Sequence, residues 1–346
     1  MTETLQTPSI TSQNKRQLLR TLLFLSLPTV AEEILATLLQ YVDTAMVVQL
    51  GEQATAAVSI TTNVTWLVNS VPGAIGTAVL VLISKAAGAG DKAQVQKLSQ
   101  QALLLSVVSG ALLGAVSILL SPFIPVWMGA EAAICEQASR YFFIISVPMV
   151  FRSVSSVLGD ALRAVQNTKT PMLISLAANG LNIVLNYFLI YTFALGVDGA
   201  AIASAISYTL SGVLMFVCCR RNADLRWHWR TFSPDKRLLR ACVSVGTPVL
   251  GSSMVACLGY VVFASLVSGM GTTVFAAHSI AVTAETVFYV PGYGLRTAAS
   301  TLIGNARGGG NATQLNTVAN LHVRLTVGVM FVRGVVLLSV LTRWPG

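Results

Sequence analysis

Charge is what this chain has least of. Asp, Glu, Lys and Arg together make up 10% of its 346 residues, whereas soluble domains carry about 25%. That shortage excludes an ordinary soluble domain. The 54% of hydrophobic residues, gathered in long runs, read instead as membrane spans, each needing about 20 apolar residues. Histidine is scarcer still: His228, His278 and His322 are the three present, and they show no metal-ligand spacing. The five cysteines form no CxxC pair and four lie in or beside apolar runs, so they read as small helix residues rather than a disulfide frame or a metal site. GxSxG and HExxH are missing, which leaves an intramembrane hydrolase without a motif. GAGD at 88–91 lacks the GK[ST] of a phosphate loop, so nucleotide binding is not expected. Residues 1–20 are polar, end in Lys15, Arg16 and Arg20 and lead straight into a span, which is not the pattern of a cleavable signal peptide.

What the chain does have is nine apolar segments of spanning length, near 22–48, 56–84, 98–121, 138–159, 171–193, 198–219, 241–267, 276–303 and 318–342. An all-α integral membrane protein follows. Pro28, Pro72, Pro148, Pro248 and Pro291 are expected to interrupt several of these helices, as the broken helices of transporters do. With the N-terminus placed in the cytoplasm, the inner connections hold Lys85, Lys92, Lys97, Arg163, Lys169, the basic run from Arg220 to Arg240, and Arg307. The outer connections hold almost none, so the positive-inside rule is met along the chain. The net charge of +9 thereby sets orientation, and a nucleic-acid partner is not expected.

A second regularity is internal. At a constant offset of 220 residues, Pro28 meets Pro248, AAVSI at 56–60 meets AAHSI at 276–280, and GAGDKAQ at 88–94 meets GGGNATQ at 308–314. A one-residue slip near Pro72 and Pro291 is the only gap. Repeats at a fixed period mark duplicated structural units. The matched loops must share a side of the membrane, so an even number of helices separates them, and six fit. Six-helix repeats are parallel, with a binding cavity between them. The expected organisation is an N-terminal lobe at 1–219, a basic cytoplasmic linker at 220–240 and a partial C-terminal lobe at 241–346. On this reading about nine of twelve helices are present, as in a truncated or frameshifted chain.

PTVAEEILATLLQYVDTAMVVQLG at 28–51 and GDALRAVQNTKTPMLISLAANGLNIVLNYFLIYTFALGVDGAAIASAIS at 159–207 resemble the MATE family, the multidrug and toxic compound extrusion antiporters. The resemblance covers about residues 20–315. It implies two six-helix bundles forming a V, and export of organic, often cationic, compounds in exchange for Na+ or H+ by alternating access. It implies a bacterial inner-membrane, multi-pass protein, monomeric when full length, with no enzymatic activity and no bound cofactor beyond the coupling ion.

Carboxylates inside spans mark candidate sites, because a charge in hydrocarbon is costly. Asp43 lies in the outer half of the first helix, where a carboxyl group that can be charged or neutral suits exchange of H+ or Na+ for a cation. By resemblance it matches the acid of the family's N-lobe cation site. Asn179, Asn182 and Asn186 follow i, i+3, i+7 spacing and share a helix face; they can ligate a cation or tie helices together. Some relatives carry Asp at the position of Asn186. Ser204 matches a hydroxyl near that site. Glu32 and Glu33 lie toward the inner half, and their repeat partners are Ser252 and Ser253, so the fold does not demand acids there. With Glu285 they are expected to bias a substrate cavity toward cations, and Asn179 is expected to line that cavity with them. Two alternatives stand beside this reading. One is a lipid-linked oligosaccharide flippase of related architecture, which should line its cavity with bases; Arg152 and Arg296 are its support. The other is a non-transporting remnant.

Overall fold

The computed structural model describes residues 15–227, 234–268, 270, 274 and 292–341. Among these the chain is helical, with no strand. The helices are α1 (Lys15–Val48), α2 (Glu52–Gly88), α3 (Lys92–Leu120), a short α4 (Ile124–Trp127), α5 (Ala132–Ser146), α6 (Met149–Ala164), α7 (Lys169–Asn186), α8 (Gly196–Arg221), α9 (Lys236–Ser268), α10 (292–308) and α11 (Ala312–Leu341). Between α7 and α8 the backbone widens into a π turn, Tyr187–Thr192. Seven helices are long and apolar enough to cross a membrane, and the pair α5 and α6, bent by 50° at Val147–Pro148, makes an eighth crossing if it acts as one span. These account for eight of the nine expected segments. Most of the ninth, 276–303, lies outside the described residues and surfaces only as α10.

The prolines behave differently from expectation. Pro28, Pro72 and Pro248 sit inside continuous helices, and among the described members of the five only Pro148 accompanies a break; Pro291 lies outside the described residues. A span keeps its helix through proline because neighbouring groups satisfy the one freed carbonyl and unfolding further backbone into lipid costs more.

Helices cannot gain from apolar burial against lipid tails, so close packing and hydroxyl bonds must hold the bundle. α6 sits at its centre, against α2, α3 and α8. Gly110 of α3 admits it: a methyl there would come within 2.7 Å of the Val150 Cα. Gly212 of α8 admits it from the other side, against the backbone of Phe151. Ser109 bonds Ser153 at 3.2 Å, and Ser155 bonds Ser211 at 2.7 Å. Val79, Ile83, Leu98, Val157, Leu158 and Leu162 fill the centre behind these contacts. The linker after α8 joins this core: Leu225 and Trp227 are buried, with Trp227 tilted on Phe216. Asp235 then starts α9, its Oδ1 accepting from the Arg237 and Leu238 amides.

The 220-residue repeat is visible in local geometry. Gly90 and Gly310 end α2 and α10 with φ of 73° and 70°, a left-handed conformation that glycine adopts freely. Asp91 and Asn311 then cap α3 and α11, each accepting from the amide of a Gln three residues on at 2.9 Å. The same ends of α2 and α10 cross each other. Gly88 lies against the backbone of Asn305, and Gly308 against the backbone of Lys85. Lys85 and Asn305 are themselves repeat equivalents, as are Gly88 and Gly308. Ser84 faces its own equivalent, Gly304. A pseudo-twofold axis therefore passes between Ser84 and Gly304, at the end of the bundle where the basic residues gather, and the matched loops share a side as the repeat requires.

Candidate functional site

Two polar regions lie within the bundle. The first joins α1, α7 and α8. Asn186, the last residue of α7 and fully buried, donates through Nδ2 to the Asp43 carboxylate and, at 3.4 Å, to Asn182 Oδ1. Asn182 Nδ2 donates to Ser204 Oγ at 3.3 Å. Four of the candidate residues thus form one chain of bonds, Asp43–Asn186–Asn182–Ser204. The π turn begins directly after Asn186, and single π turns in helices frequently accompany functional residues. Asn186 Oδ1 is buried with no hydrogen-bond partner among the described residues. It is an acceptor beside a carboxylate. Amide, hydroxyl and carboxylate oxygens are the donors a hard cation takes, so these residues fit a Na+ ion, and Asp43 alone fits a proton. No cluster of three or more His, Cys, Asp or Glu suited to a metal occurs among the described residues. Asn179 stands apart, donating to Ser175 Oγ at 3.4 Å and facing a narrow crevice shared with Glu32. The Asn face is therefore split: two of its three members join Asp43, and the third does not.

The second region is a cavity of about 590 Å³ between α1, α2, α6, α9 and α10. Glu32 and Glu33 both line it, so adjacent residues on one helix reach one space from two sides. Glu32 is not free. Arg163 Nη2 donates to both of its carboxylate oxygens at 2.8 Å, and Arg163 Nη1 donates to Asp160 at 3.0 Å. The Glu33 carboxylate has no ion pair or hydrogen bond among the described residues, while its carbonyl accepts from the Thr37 hydroxyl at 2.8 Å. Arg296 also lines the cavity and lies over the Tyr293 ring, 5.4 Å from its centre. The expected anionic wall is thus corrected to three carboxylates with two guanidinium groups. Arg163, placed by sequence in an inner connection, belongs instead to the last turn of α6 with a side chain only 16% exposed. Asp160 was missed. Its signal was a carboxylate in the apolar run VLGDALRA, three residues before an Arg and so on the same helix face. Arg152 lies over the Tyr208 ring at 4.4 Å and not in this cavity. Glu285, His228 and His278 lie outside the described residues.

The model of one family, MatE, matches residues 28–188 and 248–344, both halves of the repeat. The chain belongs to the MatE family. MatE proteins are transporters and not enzymes. Among its relatives, a probable multidrug resistance protein NorM of Thermotoga maritima is 28% identical, over 89% of this chain and 69% of that one. A multidrug resistance protein NorM of Vibrio vulnificus is 27% identical, over 93% of this chain and 72% of that one. Among solved structures, a multidrug resistance MATE family transporter in an outward-facing conformation superposes with a TM-score of 0.85 at 24% identity, over 92% of this chain and 72% of that one. A MOP superfamily transporter from Pyrococcus furiosus, whose binding pocket is described as having reverse polarity, superposes equally well at 24% identity, with the same coverage. The MatE fold assigned here is that of these structures.

Proposed function

We propose that this MatE protein exports organic cations across a bacterial inner membrane in exchange for Na+ or H+. Asp43, Asn182, Asn186 and Ser204 respond to the coupling ion. Glu32, Glu33 and, by its sequence position, Glu285 favour a cation in the substrate cavity. Residues 1–219 and the partial lobe 241–346 alternate access, joined by the 220–240 linker, with the N-terminus in the cytoplasm and the full-length protein working as a monomer. The observation that carries this reading is the bonded chain from Asp43 to Ser204, which holds an unpartnered buried oxygen, Asn186 Oδ1, beside the carboxylate and stands apart from a second polar cavity. An ion and a substrate then have separate places, and their coupling runs through the helix α1 that carries Asp43, Glu32 and Glu33. The NorM relatives, named for multidrug resistance, support the substrate class.

The test is efflux of a fluorescent organic cation from cells, with abundance in the membrane measured alongside. Asp43→Asn is expected to insert normally and abolish coupled export. Export at the wild-type rate in that variant would overturn the assignment. Imposing a Na+ or a pH gradient on vesicles separates the two coupling ions. The flippase reading predicts instead that a pyrophosphate-linked lipid binds and an organic cation does not. Three carboxylates against two guanidinium groups in the cavity weigh toward the cation.

A further inference from the structure

We propose that Arg163 is a tethered cation, which holds the carboxylates of the cavity until a substrate cation takes its place. The inference rests on the substrate reading above and concerns how that cavity selects and releases its cargo.

Glu32 and Asp160 come from different helices, α1 and α6, and both are spent on one guanidinium. A lone Arg–carboxylate pair would suffice for structure. Here the fork of Arg163 takes both oxygens of Glu32 with one nitrogen and Asp160 with the other. Asp160 is clamped in turn, because its carboxylate lies on Gly76 of α2, where a methyl group would collide with it. The carboxylates are therefore held at the cavity wall in a geometry matched to a cation. A substrate cation entering beside unpaired Glu33 meets a site whose charges have already been taken out of water. Desolvation is the main cost of a buried ion pair. Exchanging one cation for another avoids paying it again. It also makes release easy, because Arg163 returns as the substrate leaves.

The place of Arg163 gives the exchange a consequence. Its carbonyl accepts from the Thr301 hydroxyl of α10 at 3.3 Å, and the next carbonyl, of Ala164, lies 3.5 Å from Ser84 Oγ. Ser84 flanks the pseudo-twofold axis, opposite Gly304. The side chain that lets go of Glu32 therefore belongs to the backbone that ties α6 to the α2–α10 crossing. The exchange therefore takes place beside the contact between the two halves of the repeat.

The test measures equilibrium binding of tetraphenylphosphonium to the purified full chain in nanodiscs, and its export from cells. Arg163→Gln frees Glu32 and Asp160, and is expected to bind the cation about tenfold more tightly, a change of about 1.4 kcal/mol. Turnover is expected to fall, because nothing then ejects the substrate, so KM and kcat drop together. Arg163→Lys keeps the charge without the fork, and is expected to bind more tightly than wild type but less so than Arg163→Gln. Glu32→Gln is expected to bind more weakly than wild type. A structural strut would give the opposite split: unchanged or weaker binding in Arg163→Gln with turnover lost. That result overturns the inference. If Arg163→Gln does not fold, Arg163→Lys decides, since binding no tighter than wild type contradicts a displaceable cation. Failure of wild type itself to bind tetraphenylphosphonium would instead sink the substrate reading, and this inference with it.

Discussion

Asp43 and Asn186 touch directly, and the strength of that contact depends on the charge of the acid. A hydrogen bond to a charged group contributes about 1.5–3 kcal/mol and a neutral one about 0.5–1.5 kcal/mol. Asp43→Ala, Asn186→Ala and the double variant form a cycle whose coupling energy, read from reversible unfolding in detergent, is expected in the charged range at neutral pH. A coupling energy near zero would mean that Asn186 does not stabilise the carboxylate. Ser204→Ala, at the far end of the same chain of bonds, is expected to reduce export far less than either, since Asn182 keeps its contact with Asn186. At this scale much was legible. The acid in the first span and the i, i+4 pair Asn182 and Asn186 are visible in one line of sequence. The partner of Glu32 was not, because Arg163 lies 131 residues away and its run looks like an ordinary end of a span. Pairing across helices depends on how α1 and α6 are set side by side, which no local pattern records.

Helix ends and crossings are where the repeat becomes physical. The turn GAGD and its equivalent GGGN do the same two things: a glycine with positive φ ends one helix, and an Asp or Asn caps the next. The sequence match predicted equivalent loops, and backbone geometry explains why a glycine followed by Asp or Asn recurs in them. What it could not predict was that the two loops meet. Gly88 and Gly308 pack on each other's neighbouring backbone, so a side chain at either position has nowhere to go. Gly308→Val is accordingly expected to part α2 from α10. Ser84 is fully buried at that crossing. With the five native cysteines replaced by alanine, a cysteine at Ser84 should react with a soluble thiol reagent at least about tenfold faster once Gly308 is Val, an opening worth about 1.4 kcal/mol. Equal rates would show that the crossing tolerates the side chain and that the contact is incidental. The prolines teach the converse lesson. Read as breaks, Pro28, Pro72 and Pro248 proved to be interior residues of long helices, because in a membrane the cost of exposing backbone exceeds the cost of one lost bond.

Over the whole molecule, composition alone decided the class: a chain with so few charges and so many apolar runs has to be surrounded by lipid. Large side chains of α3 that face outward, Leu112 and Leu119 among them, suit contact with hydrocarbon. The distribution of the few charges carries the orientation. All six lysines, Lys15, Lys85, Lys92, Lys97, Lys169 and Lys236, lie at or just beyond the helix ends on one side of the bundle. The opposite ends carry Glu52, Glu131 and the pair Arg140–Asp198. A lysine excess of this kind retains its loops in the cytoplasm during insertion. A membrane-impermeant amine reagent applied to intact cells should therefore leave every lysine of this chain unmodified. In inverted vesicles Lys92 should react first, since its side chain is 81% exposed and its contact with Asp224, at 3.7 Å, is loose. Modification of any lysine in intact cells would reverse the orientation proposed here. The Asp43 end would then face the cytoplasm, and the ion site and the basic end would exchange sides in the transport cycle.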